Sequence, residues 1–139
     1  MFEMLRNSAV DQGFLESLAV TEADVAEDGF GPQPKFTCLI AEKDRVPAGI
    51  ALYYFDYSTW VSRMGLFLED LYVNPQHRRA GVAQALLRRL TEIARSAGCR
   101  RMHWLVHREN TAAMQLYRSF GARSLDEWMI MTIREQLTP

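Results

Sequence analysis

The chain has 139 residues, 48% of them hydrophobic and 24% charged, with a formal net charge of −1. That length fits one compact domain spanning residues 1–139 and is too short for two. The composition argues against disorder, the near-neutral balance against a nucleic-acid binder, and no apolar run is long enough to cross a bilayer.

The N-terminus, Met1-Phe2-Glu3-Met4-Leu5-Arg6-Asn7, carries an early acid and lacks the apolar stretch of a signal peptide. Residues 2–18 show a weak helical pattern through Phe2, Leu5, Ala9, Phe14 and Leu18, interrupted around Asp11-Gln12-Gly13. Thr21 caps a short helix through Ala23 and Val25 to Glu27, which Gly29 stops. Strands are predicted over 36–41, 48–57 and 66–73, with a polar turn at Glu42-Lys43-Asp44-Arg45 and a loop at Ser58-Thr59-Trp60. The segment Asn74 to Gly81 is turn-rich and basic. It opens a helix with Val82, Leu86, Leu90, Ile93 and Ala97 on one face, ended by Gly98. A strand follows over 101–106. Asn110 then caps a helix carrying Ala113, Leu116, Tyr117 and Phe120 on one face, ended by Gly121, and 122–133 reads as a bent strand or terminal hairpin. Three consecutive strands pair antiparallel and the strand-helix-strand units extend the sheet in parallel, which makes the fold class α/β with a mixed sheet.

Cys38 and Cys99 have no metal-ligand spacing and read as small apolar filler, which fits a reducing cytoplasm. His77, His103 and His107 are not spaced as zinc ligands, so no metal is expected. The arginines 78, 79, 88, 89, 100 and 101 read as a solvated basic stripe rather than a nucleic-acid surface.

Three features carry chemistry. Arg78-Arg79-Ala80-Gly81-Val82-Ala83 lies where a strand gives way to a helix, and a helix start offers unpaired N–H groups and a positive dipole end to a phosphate. Gly81 admits close approach of the anion. The same residues also suit a capped amphipathic helix with a solvated basic start, and on their own they do not choose. Glu69 and Asp70 interrupt an apolar strand. Adjacent strand residues face opposite ways, so at least one carboxylate points into covered space and needs a cleft or a cation. Tyr117, on an apolar helix face, reads by itself as core.

Arg-x-x-Gly-x-Ala between strand and helix resembles the pyrophosphate signature of the GNAT acetyltransferases. Leu68 to Val73, Met102 to Val106 and Asn110 to Ala122 are similar to the diamine (spermidine/spermine) branch, as are Thr21 to Asp24, Glu27 to Gly31 and Ala51 to Phe55. The resemblance implies a GNAT acyl-CoA N-acyltransferase fold and transfer from acetyl-CoA to a small amine in a ternary complex, without a covalent enzyme intermediate. It implies that the backbone of Leu71, Tyr72 and Val73 pairs with the pantetheine arm and that an N–H near Val73 steadies the developing oxyanion. Arg78, Arg79, Ala80, Gly81, Val82, Ala83 and Gln84 are then the pyrophosphate site. Asn110, Thr111, Ala112 and Ala113 touch the far side of the same molecule. Glu69 is implied as the proton acceptor, through water, and Tyr117 as the donor to the departing thiolate. Asp70, Trp60, His103, Trp104 and Leu105 are implied in acceptor binding.

The family begins with a strand and a full first helix, and this chain is roughly twenty residues short of the usual domain. The expected fold therefore lacks or alters the first strand. Residues 1–20 match poorly, with Asp11 and Gln12 where the diamine enzymes carry an aromatic-acid pair, and Ser58 stands where an acid is common. Two functions stay open: an N-acetyltransferase for a polyamine or lysine-like acceptor, and a CoA-binding module without a competent acceptor site. Asp56, Glu69 and Asp70, with Tyr54 and Trp60 as walls, would suit a cationic acceptor. A homodimer joined through 122–133 is expected, with an exposed sheet edge for a partner to cover.

Overall fold

The structure is a computed structural model and describes residues 1–133. Helix α1 (Phe2–Asp11) and α2 (Glu22–Phe30) precede strands β1 (Thr37–Lys43), β2 (Val46–Ser58) and β3 (Arg63–Val73); α3 (Val82–Ser96), β4 (Arg101–Trp104) and α4 (Thr111–Ser119) follow. The sheet order is β1-β2-β3-β4, antiparallel twice and then parallel. The mixed α/β sheet expected from the pattern is present, beginning with a helix.

Residues Met1–Leu105 form one compact unit and a second begins at Val106. In the first, the two faces of the sheet are covered differently. Met4 and Leu5 of α1 and Val25 of α2 close on Ile50, Leu52 and Tyr72, burying an apolar cluster extended by Phe36 and Cys38. The opposite face takes α3, whose buried Leu86, Leu87, Leu90 and Ala94 recur at three- and four-residue spacing. Gly49 lies on that face, where a Cβ would come within 3.1 Å of Val82 Cγ1.

Local chemistry explains the ends. Thr21 Oγ1 accepts from the Asp24 N–H at 3.2 Å and Asp24 Oδ2 accepts from the Thr21 N–H at 2.8 Å, a capping box; the Thr21 hydroxyl, donating to Asp24 Oδ2 at 2.7 Å, and then that backbone N–H lower the Asp24 carboxyl. The helix passes Gly29 and ends at Gly31, one turn-position later than the glycine rule suggested. Asn110 caps α4 by accepting from the Ala113 N–H at 3.1 Å.

The second unit corrects one expectation. Residues 122–133 form neither a bent strand nor a hairpin; they run without ladder pairing, and from Arg123 onward all are exposed. The alternation of apolar residues there is real, but a strand also needs a neighbour for its backbone and a surface for its apolar face. β4 is likewise shorter than expected, ending at Trp104 rather than Val106.

Candidate active site

The register between β2 and β3 breaks at one point: Leu52 faces Asp70, but Tyr53 faces Leu68. Glu69 is the extra residue of a β-bulge. A bulge cancels one step of the side-chain alternation, so the two carboxylates no longer point to opposite faces. Both line one cavity of about 420 Å³, together with Leu5, Ser8 and Ala9 of α1, its cap Gln12, and Phe14, Ser17, Leu18 and Val20 beyond it. The poorly matching N-terminal residues thus build the wall facing the acidic pair. Ser8 is buried and accepts from Gln12 Nε2 at 3.1 Å, which anchors that wall.

The pair is not symmetric. Glu69 is exposed and Asp70 is half-buried. Burial, then the charge of Glu69, pushes the Asp70 carboxyl up from 3.8 to about 6. Cys38 sits in the same row, across Leu52 from Asp70. Burial pushes its thiol to about 11, which makes it filler and no nucleophile.

Beyond the bulge the sheet opens. β4 pairs with β3 only over Gly65 to Leu68, so the backbone of Leu71, Tyr72 and Val73 has β2 on one edge and, among the described residues, no strand on the other. The helix α3 then starts at Gly81, an N-cap in the left-handed region (φ 82°, ψ 2°) with no side-chain cap. A Cβ built on Gly81 meets nothing within 4 Å, so nothing crowds the residue that precedes the first-turn N–H groups of Val82, Ala83 and Gln84. Arg79 is also left-handed, at φ 62°. Such an uncapped, unobstructed helix start, flanked by small Ala80 and Ala83, fits a pyrophosphate. Arg78 is otherwise engaged: it pairs with Asp11 of α1, donates from Nε to the Val73 carbonyl at 3.0 Å, and lies 5.8 Å from the Tyr72 ring centre.

Asn110 to Ala113 form the start of α4, and Tyr117 lies two turns on, its phenol pushed up by burial. Trp60 is 85% exposed at the β2–β3 turn and is not a cavity wall; Leu105 is exposed, and Trp104 pairs with Leu68. His103 stacks edge-on to Phe67 at 5.0 Å, and Phe67 stacks on Tyr54 at 5.1 Å. Asp56 is no bare acid: it pairs with Arg101, and its Oδ2 lies 3.4 Å from His103 Nε2. Arg101 and Gly65 were missed as site residues. The signal for Gly65 was a glycine inside a strand pattern, which marks a close approach.

A mixed sheet splayed at a bulge, followed by an open helix start, defines an acyltransferase-type architecture. The Acetyltransferase (GNAT) family matches residues 2–122, and the chain belongs to that family. It is 36% identical over 132 residues to human "Spermidine/spermine N(1)-acetyltransferase-like protein 1", spanning 90% of this chain but only 19% of that one. It is 35% identical over 135 residues to the thialysine N-epsilon-acetyltransferase of Sus scrofa, covering 91% of this chain and 79% of the relative. Among solved structures, an integron cassette protein from the mobile metagenome of V. cholerae shares the fold at a TM-score of 0.75 and 22% identity, over 90% of this chain and 80% of that one.

Proposed function

We propose that this chain uses acetyl-CoA to acetylate a primary amine of a small cationic acceptor, a polyamine or a lysine-like amino acid, by direct attack in a ternary complex. The observation that carries the reading is the bulge at Glu69, which turns two carboxylates into one cavity at the point where β3 leaves β4. The named acceptors of the relatives, spermidine/spermine and thialysine, support a cationic amine.

Acetyl-CoA, when bound, supplies an acyl group activated as a thioester. The N–H groups at the start of α3, with Arg79, hold its pyrophosphate, and the open edge of Leu71 to Val73 pairs with its amide-bearing arm. Asn110 to Ala113 complete that binding in this reading. The acceptor arrives as an ammonium, because an alkyl amine has a pKa of about 10, and it must lose a proton before it can attack. Glu69 attracts the ammonium and takes that proton through water, while Asp70 keeps the cavity anionic. As the nitrogen–carbon bond forms and the carbon–sulfur bond breaks, the Tyr117 hydroxyl supplies the proton that the sulfur gains. Burial raises that phenol above its ordinary value, so it holds its proton more firmly than a free tyrosine. His103 borders the acceptor region in this reading. The working form is a cytoplasmic homodimer, a reading supported by two free cysteines and by the exposed apolar residues after Leu125.

Release of free thiol, followed with putrescine, spermidine, lysine, thialysine and a neutral arylamine, tests the proposal. Cationic amines are expected to turn over, and Glu69→Gln to slow them more at about pH 7.5 than at about pH 9.5, where more amine is already neutral. Binding of acetyl-CoA with no thiol released from any amine would leave a CoA-binding module instead.

A further inference from the structure

The sheet face that carries Glu69 and Asp70 continues past the bulge into a second charged group. Tyr54 and Phe67 floor this region, paired in the register between the row of Leu52 and Asp70 and the row of Asp56 and Gly65. At the far end Asp56, Gly65 and Arg101 occupy one row across three strands. A Cβ on Gly65 would overlap Asp56 Oδ1 and come to 3.0 Å from Arg101 Nε, so only the missing side chain lets the ion pair close over β3. Asp56 is spent in this arrangement. Its Oδ2 serves Arg101 and His103, and its Oδ1 is buried without a hydrogen-bond partner among the described residues. The Arg101 side chain is 44% exposed against 25% for Asp56, so the accessible member of the pair is the cation.

We propose that Arg101 is the head-group residue of the acceptor site, held over Gly65 by Asp56 to receive a carboxylate, and that the acceptor is therefore an amino acid with a side-chain amine rather than a polyamine. This rests on the acetyl-transfer reading above. The spacing agrees. Three regular steps of β3 run from Gly65 to Leu68 and the bulged Glu69 follows, roughly 10 to 13 Å of backbone at about 3.3 Å per step. An acceptor with amine and carboxylate about 7 Å apart lies along that span, its carboxylate within a hydrogen bond of about 3 Å of the guanidinium and its amine at the Glu69 end, where water carries the proton. A diamine of the same length would bring an uncompensated ammonium against the guanidinium, whereas the α-ammonium of an amino acid comes with a carboxylate that the planar fork suits. The aromatic floor accommodates the methylene chain between the ends.

The experiment compares kcat/KM for lysine with cadaverine, and for ornithine with putrescine, each diamine being the amino acid without its carboxylate. The full chain is expected to prefer the amino acid in each pair. Arg101→Gln is expected to lower the lysine-to-cadaverine ratio by about ten- to a hundredfold, with Arg101→Lys, which keeps a charge beside Asp56, falling between. An unchanged ratio in Arg101→Gln, or no preference for the amino acid in the unmodified chain, overturns the proposal. Thermal shifts of both chains with lysine and with cadaverine give a readout that needs no turnover. If no amine releases thiol, the transfer reading fails, while a lysine-specific shift lost in Arg101→Gln still supports the carboxylate site and equal shifts overturn it.

Discussion

Asp70 is held in the fold at a cost. A carboxyl whose pKa rises from 3.8 to about 6 on folding binds its proton more tightly in the folded chain, so ionising it destabilises the fold. That cost is absent below about pH 4, grows between about 4 and 6, and is complete above. Asp70→Asn keeps the shape and removes the charge. It is expected to raise stability at pH 8, by at most about 3 kcal/mol, and to change nothing near pH 4. Melting curves across that range check it, and a gain that persists unchanged at pH 4 would refute the electrostatic cause. The same residue shows how much was legible. The sequence said that one carboxylate of the pair had to be covered; it could not say that both share a cavity, because the bulge depends on how β2 registers against β3. Tyr117 differs in kind. Its helix face allowed both core and catalysis, and its phenol is partly buried, so Tyr117→Phe is expected to fold normally. A fall in kcat of about ten- to a thousandfold is expected for loss of the general acid. Full activity would make it packing alone.

Among the elements, α3 was the most readable. Its apolar stripe and flanking glycine fixed both ends within a residue, because an amphipathic period of 3.6 records the surface on which the helix packs. Its first turn also carries the cofactor expectation. Gly81→Asp is a selective probe, since aspartate tolerates the left-handed conformation better than most residues and can cap a helix. The fold should therefore survive. Acetyl-CoA is expected to raise the Tm of the parent chain and to leave that of Gly81→Asp unmoved, because the new carboxylate meets the pyrophosphate. An equal shift in both chains would remove the helix start from the binding site. Two acids of α2 act locally. Asp24 closes the capping box and Asp28 pairs with Lys35 at 2.6 Å. Segment 122–133 went the other way: strand-like composition without a ladder partner.

For the whole molecule, the near-neutral charge removes long-range repulsion between copies. The second unit exposes Trp128, Met129, Ile130, Met131 and Ile133, each by more than 60%. A contiguous apolar stretch of this kind marks an interaction site in a soluble chain. A homodimer is the expected outcome, burying these residues in a two-fold contact. Light scattering at micromolar concentration should report twice the mass of the chain, and Met129→Asp combined with Met131→Asp should shift it toward one copy. A monomer in the parent chain would end the idea.

What the sequence determined by itself was local or periodic: the amphipathic faces of α3 and α4, the caps at Thr21 and Asn110, the strand-turn-helix segment from Arg78 to Ala83, and the oddity of two acids in an apolar strand. These depend on neighbours a few residues away, and those neighbours are written in the chain. Tertiary structure alone decided which face Glu69 takes, that α1 supplies the opposite wall, that Arg78 is engaged by Asp11, and that Asp56 is neutralised by an arginine 45 residues on. Each of these is a contact between distant segments, set by strand register and by the room one missing Cβ leaves at Gly65. No propensity or spacing within a single segment encodes such a contact.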